Sequence, residues 1–254
     1  MMRGIQSGRD NPMKKKYPFS IIFTIFVGLA ACSPPPDEPS APKHITSDDW
    51  NVATRQVVAQ YSPNVKTRLK PHFKRAGVSY PPQAIELLAF KKERKVELWA
   101  KDKNLWHYIR HYPIAASSGH LGPKLMEDDE QIPEGIYKIQ FLHPFSRLHL
   151  SMKLNYPNDF DRLHAEIDGR EELGDDIYIH GKALSVGCLA IGDRNIEDLF
   201  VLVNDVGTQN VEVIIAPHDL RQKKTLITKD QQPEWVPELY EKLQYALGNY
   251  SRSA

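Results

Sequence analysis

The chain has 254 residues, a formal net charge of +1 and two cysteines. Its first 31 residues hold Arg3, Arg9, Lys14, Lys15 and Lys16 against Asp10 alone, so the body beyond them is mildly acidic. That balance excludes a nucleic-acid partner, which asks for a cationic face to neutralise phosphates.

The stretch "MKKKYPFSIIFTIFVGLAACS" reads as a cationic segment, an apolar segment and then Leu29-Ala30-Ala31-Cys32. The apolar run from Ile21 to Ala31 is shorter than the roughly 20 residues that cross a bilayer, and it ends at small residues, as a cleavage site does. Residues 1–31 are therefore expected to be a lipoprotein signal peptide, with Met13 as a second candidate start. Cys32 would become the lipid-carrying N-terminus, held to a membrane at about 0.8 kcal/mol per buried methylene. Ser33 follows the cysteine where Asp would mark inner-membrane retention. By similarity to Gram-negative lipoproteins this implies a periplasmic domain anchored at the outer membrane. Residues 32–46, with "SPPPDEPSAPK", lack hydrophobic periodicity and read as an extended tether.

Residues 47–82 carry Trp50, Ala53, Val57, Val58, Tyr61, Val65 and Leu69 at helical spacing, with Ser47 or Asp48 as N-cap. Pro63 and Pro71 are expected to cut this helix into short pieces. The period then changes from helical to alternating. "AIELLAF", "KVELWA" and "LWHYIR", joined by short polar links, read as an antiparallel meander. Further strands are expected at "GIYKIQFL", "RLHLSMKL", "DIYIH" and "NVEVIIAP". "RNIEDLFVLVNDVG" is helical, with Asp193 as cap and Gly207 as stop. Tyr156-Pro157-Asn158 reads as a turn. Residues 83–220 thus form the main body, and 221–254 a C-terminal extension whose closing helix begins near Pro233 or Pro237. The fold class is mainly β with flanking helices.

With Cys32 lipidated, Cys188 has no partner in the chain, so no disulfide framework is possible. An unpaired thiol in an oxidising compartment is either used or hidden as a small buried hydrophobe. In "DDIYIHGKALSVGCLAIGD" the alternation puts Ile177 and Ile179 on one face and Tyr178 and His180 on the other. His180 would stand at a strand end, with Gly181 allowing a tight exit and offering a carbonyl to orient the imidazole. Gly187 and Cys188 could present two N–H groups to an oxyanion. An imidazole beside a thiol can take its proton, or pair with the thiolate, and later protonate a leaving amine. One His and one Cys make only half a zinc site, and a redox thiol lacks a resolving partner.

His180-Gly181, a spacer and then Ser185-Val186-Gly187-Cys188 resemble the signature of the L,D-transpeptidase catalytic domain family, the YkuD type. "SSGHLGPKLMEDDEQIPEGIYKI" and "SRLHLSMKLNYPNDFD" are similar to its flanking segments, from about Ile85 to Pro217. The resemblance implies a sandwich-like β fold in which Cys188 is the nucleophile, His180 the base and acid, and Ser185 a positioning residue. It implies a stem peptide of peptidoglycan as donor, cut before its terminal D-Ala, and no cofactor or metal. Stem carboxylates suggest Lys124, Arg147 and Lys182 as binding residues. Val186 and Ala190 stand where the commoner branch has a second histidine and a polar residue, which places the chain in a short-spacer branch. The same site could serve an L,D-carboxypeptidase, or a hydrolase freeing a wall-linked lipoprotein. The reading of another class is a non-catalytic lipoprotein that binds peptidoglycan.

Overall fold

Every residue of the strand Ile85–Phe90 (β1) is buried, because it has neighbours on both edges and packed layers on both faces. The computed structural model describes residues 46–222 and 232–251. The expected signal peptide, Cys32, nearly all of the tether and part of the C-terminal extension lie outside the described residues. No helix among the described residues is long and apolar enough to cross a membrane.

The expected meander forms. β1 pairs antiparallel with β2 (Lys95–Asp102), and β2 with β3 (Leu105–Pro113). The remaining strands are β4 (Gly135–His143), β5 (Ser151–Leu154), β6 (Tyr178–His180), β7 (Leu189–Ala190) and β8 (Val211–Ala216). Together they make one curled sheet in the order β3-β2-β1-β8-β4-β5-β6-β7. β8 enters parallel to β1 at the centre, a pairing that local alternation cannot announce. β5 starts only at Ser151, since Arg147–Leu150 is turn rather than strand. The two-residue β7 is too short for periodicity to reveal.

The helix α1 (Ser47–Ala76) corrects the expectation that prolines would divide it: both Pro63 and Pro71 lie inside one continuous helix. A helical proline removes one N–H and crowds the preceding turn, at a cost of about 3 kcal/mol. Here tertiary packing outweighs that cost. Val65, Leu69 and Phe73, spaced by four, are buried in the main core. They face α3 (Asp193–Val206), whose Ile196, Leu199, Phe200 and Val203 are fully buried. Arg68 crosses the seam to Asp198 at 2.6 Å and Glu197 at 3.3 Å. The N-cap of α1 is Thr46, in a capping box with Asp49, rather than Ser47 or Asp48. The N-cap of α3 is Gly192, with no side-chain cap; Asp193 is the first helical residue and its carboxylate is used elsewhere.

The Tyr156-Pro157-Asn158 turn continues into a helix that the sequence reading missed, α2 (Asp159–Asp168). Asn158 caps it by accepting from the N–H groups of Phe160 and Asp161. The closing helix, α4 (Val236–Leu247), starts beside Pro237 as expected. It covers the opposite sheet face, packing Leu239, Leu243 and Leu247 with Leu88, Phe90, Trp99 and Ile214. A buried ion pair, Lys91–Glu134 at 3.0 Å, joins the end of β1 to the start of β4, and Tyr240 of α4 donates to the same carboxylate at 2.8 Å.

Phe73 is 1 % exposed where α1 meets the core. Phe73→Ala should lower unfolding free energy by about 3–5 kcal/mol, read as a drop in the denaturant midpoint at unchanged slope.

Candidate active site

β6 and β7 run parallel with Ile179 opposite Leu189 and His180 opposite Ala190. This register puts Tyr178 opposite Cys188, and the Tyr178 N–H donates to Cys188 Sγ at 3.4 Å. Paired residues of a sheet share a face, and residues two apart along a strand share it too. Tyr178 and His180 therefore share one face of β6, as the alternation of "DIYIH" required, and Cys188 lies against the backbone at the start of that strand. The opposite face holds Ile177 and Ile179 in the core.

The His180 ring is 1 % exposed and its Nδ1 lies 2.6 Å from the carbonyl oxygen of Gly181. A carbonyl only accepts, so Nδ1 carries the proton and Nε2 keeps the lone pair of a base. The next residue must be glycine. A Cβ on Gly181 would meet Asp193 Oδ1 and Leu148 O at 2.7 Å each. Asp193 Oδ1 accepts the Lys182 N–H at 2.7 Å, which fixes the exit turn, and Lys182 itself has φ 57°.

Cys188 is half-buried, and its thiol donates to Asp176 O at 3.6 Å. No direct hydrogen bond joins Sγ to the imidazole in this state; catalytic contacts commonly tighten only when substrate arrives. Burial pushes the thiol pKa up, the Tyr178 N–H opposes this, and the Asp176 charge adds to it against Lys153. Burial also depresses the His180 pKa, against the contact with Gly181. Both shifts favour the neutral forms, thiol and imidazole, over an ion pair.

Ser185 Oγ donates to Cys188 O at 2.6 Å and accepts the Cys188 N–H at 3.2 Å. Gly187 has φ 88°, and a Cβ there would stand 3.2 Å from Gln131 O. Its N–H donates to Ser118 Oγ at 2.7 Å, and Ser118 in turn donates to Glu130 O. Both N–H groups expected to face an oxyanion are thus held by serine hydroxyls in this state.

The three candidate cations differ. Lys124 is neither a solvated charge nor open: its side chain is 6 % exposed, with Nζ 2.6 Å from Asp129 and donating to Met126 O. It pins its own loop. Lys182 is half-exposed and pairs with Asp193 at 3.3 Å. Arg147 is exposed in the turn before β5. The reading of the sequence gave Ser118, Asp176 and Lys153 no role at the site and took Asp193 only as a helix cap. Ser118 and Lys153 had a signal, since each lies within a quoted family-like segment. Among the described residues no group of three His, Cys, Asp or Glu is placed to hold a metal ion.

The family model of the L,D-transpeptidase catalytic domain, YkuD, matches residues 85–215, just over half of the chain. "Putative L,D-transpeptidase YafK" of Escherichia coli K12 is 35% identical over 133 residues, covering 50% of this chain and 52% of its own; the O157:H7 protein of that name matches equally. The chain thus spans about half the length of the curated relatives it matches. Among solved structures, the helical cell shape determining protein Pgp2 of Campylobacter jejuni has 21% identity and a TM-score of 0.44, over 55% of this chain and 50% of its own. Bd1075 of Bdellovibrio bacteriovorus has 19% identity and a TM-score of 0.41, over 67% and 56%.

Alkylation of Cys188 by iodoacetamide should rise with pH through an inflection above about 8.5, the ordinary cysteine value, because burial disfavours the thiolate. An inflection near pH 4, where imidazole-paired thiolates titrate, would contradict the neutral resting pair.

Proposed function

Because the chain belongs to the L,D-transpeptidase catalytic domain family, we propose that it is a cysteine-dependent L,D-transpeptidase that acts on peptidoglycan stem peptides through a thioester. The observation that carries this reading is the tautomer of His180, whose Nδ1–H is held by Gly181 on the strand against which Cys188 lies. Such an imidazole has a free lone pair for one proton. No metal or cofactor enters the reaction.

As Cys188 Sγ attacks the carbonyl carbon before the terminal D-Ala, its proton passes to His180 Nε2. The tetrahedral oxyanion is met by the N–H groups of Gly187 and Cys188, released from Ser118 and Ser185. Each such donor is worth roughly 10²- to 10³-fold in rate. Collapse breaks the C–N bond, the leaving amine takes the proton from Nε2, and a thioester remains. An acceptor amine then gives a proton to Nε2 and attacks the thioester carbon, and Sγ leaves with that proton. Burial of both groups supports this general-base route, since it disfavours a standing charge on either. Arg147 and Lys182 are the cations that remain at the surface for stem carboxylates. Lipid anchoring through Cys32 would place the reaction in the periplasm, at the outer membrane.

The test is to incubate the purified chain with defined tetrapeptide stems, with and without an amine acceptor, and weigh the products. The expected result is a product joined to the acceptor with loss of D-Ala. Loss of D-Ala alone, with no joined product, would instead make water the acceptor and the protein a carboxypeptidase. Cys188→Ala should abolish both products; full activity in that variant would overturn the thioester. Gly181→Ala should cut kcat/KM by about 10²-fold, because a misplacement near 1 Å costs that much and the added methyl has no room.

A further inference from the structure

An aromatic strip leads away from the nucleophile along the edge of β4 and onto the first turn of α1. Tyr178, whose N–H touches Cys188 Sγ, has its ring 6.2 Å from that of His143. His143 lies 4.8 Å from Trp50, and Trp50 contacts Phe141 and Phe145 at 5.6 Å each. The Trp50 indole donates to Leu142 O at 2.8 Å, which locks the helix end to β4 and fixes the ring. Phe141 and Phe145 are 37 % and 45 % exposed, so the strip is open to a ligand rather than core.

Its border is polar. Lys153 pairs with Asp176 at 2.7 Å and lies over the Tyr178 ring at 5.0 Å, while the Tyr178 hydroxyl donates to Asp176 at 3.2 Å. A pyranose ring offers C–H faces to aromatic side chains and hydroxyls to charged or planar groups around them. Lipid insertion is the poorer match, since it would desolvate the Lys153–Asp176 pair.

We propose that Trp50, Phe141, Phe145, His143 and Tyr178 form a platform for the amino-sugar strand that carries the stem peptide, so that the glycan is bound beside Cys188. This rests on the stem-peptide reading above and extends it to the saccharide. Trp50 lies outside the family-matched residues, so the platform combines the catalytic domain with an element that precedes it. The substrate would then be stems on a polymer in preference to free peptides.

The experiment measures binding rather than turnover, so it stands whether or not acyl transfer is found. The full chain, with Cys188→Ala to prevent reaction, is titrated with β-1,4-linked N-acetylglucosamine oligomers and, separately, with vesicles of phosphatidylethanolamine and phosphatidylglycerol. Saccharide binding is expected, at least tenfold weaker in Trp50→Leu and in Phe145→Leu. Tyr245→Ala, on the exposed face of α4, should match the parent, and thermal melts confirm that each variant folds. Absence of saccharide binding, or equal binding by both leucine variants, overturns the platform. Vesicle binding that the leucine variants lose, without saccharide binding, overturns it in favour of a membrane-facing patch.

Discussion

A single short hydrogen bond, from His180 Nδ1–H to the carbonyl of Gly181 at 2.6 Å, is the contact on which the site depends. It sets the tautomer, and the tautomer decides which nitrogen can act as base. The bond requires the chain to turn where Leu148 and Asp193 already press against it, so only a residue without a Cβ fits. Local backbone chemistry here orients the imidazole as a buried carboxylate does in a Ser-His-Asp triad, without adding a charge that would have to be desolvated.

That economy shapes the electrostatics around it. With no carboxylate behind the imidazole, burial is the main influence on His180, and it favours the neutral ring. The thiol is treated likewise, and the nearest charges, Asp176 and Lys153, oppose each other across their 2.7 Å contact. A neutral pair would suit the proposed reaction, in which the proton moves only as the C–S bond forms. A standing thiolate would also be more exposed to oxidation in an oxidising compartment.

The long first helix connects stability to the site. Packing of Val65, Leu69 and Phe73 against α3 carries it through two prolines. The same α3 begins at Asp193, whose carboxylate holds the turn after Gly181. At its other end α1 delivers Trp50 to β4. One helix therefore braces the turn after Gly181 from behind and reaches the surface on the side of Tyr178, whose N–H meets Cys188.

Much of this was legible in the chain. Alternation in "DIYIH" put His180 opposite the core face. Local patterning also located the β1–β2–β3 meander, α3 and the closing helix, because each depends on residues close in sequence. Besides α2, four features were not legible: the parallel β1–β8 pairing, the tiny β7, the survival of α1 through Pro63 and Pro71, and the capture of Lys124 by Asp129. Each is decided by partners distant in the chain or by burial that no local period encodes. The sequence by itself singled out the candidate residues for the chemistry. Only the tertiary structure decided that Cys188 lies against the strand that carries His180, and that burial favours the neutral form of each, because register and desolvation are properties of packed strands rather than of spacing.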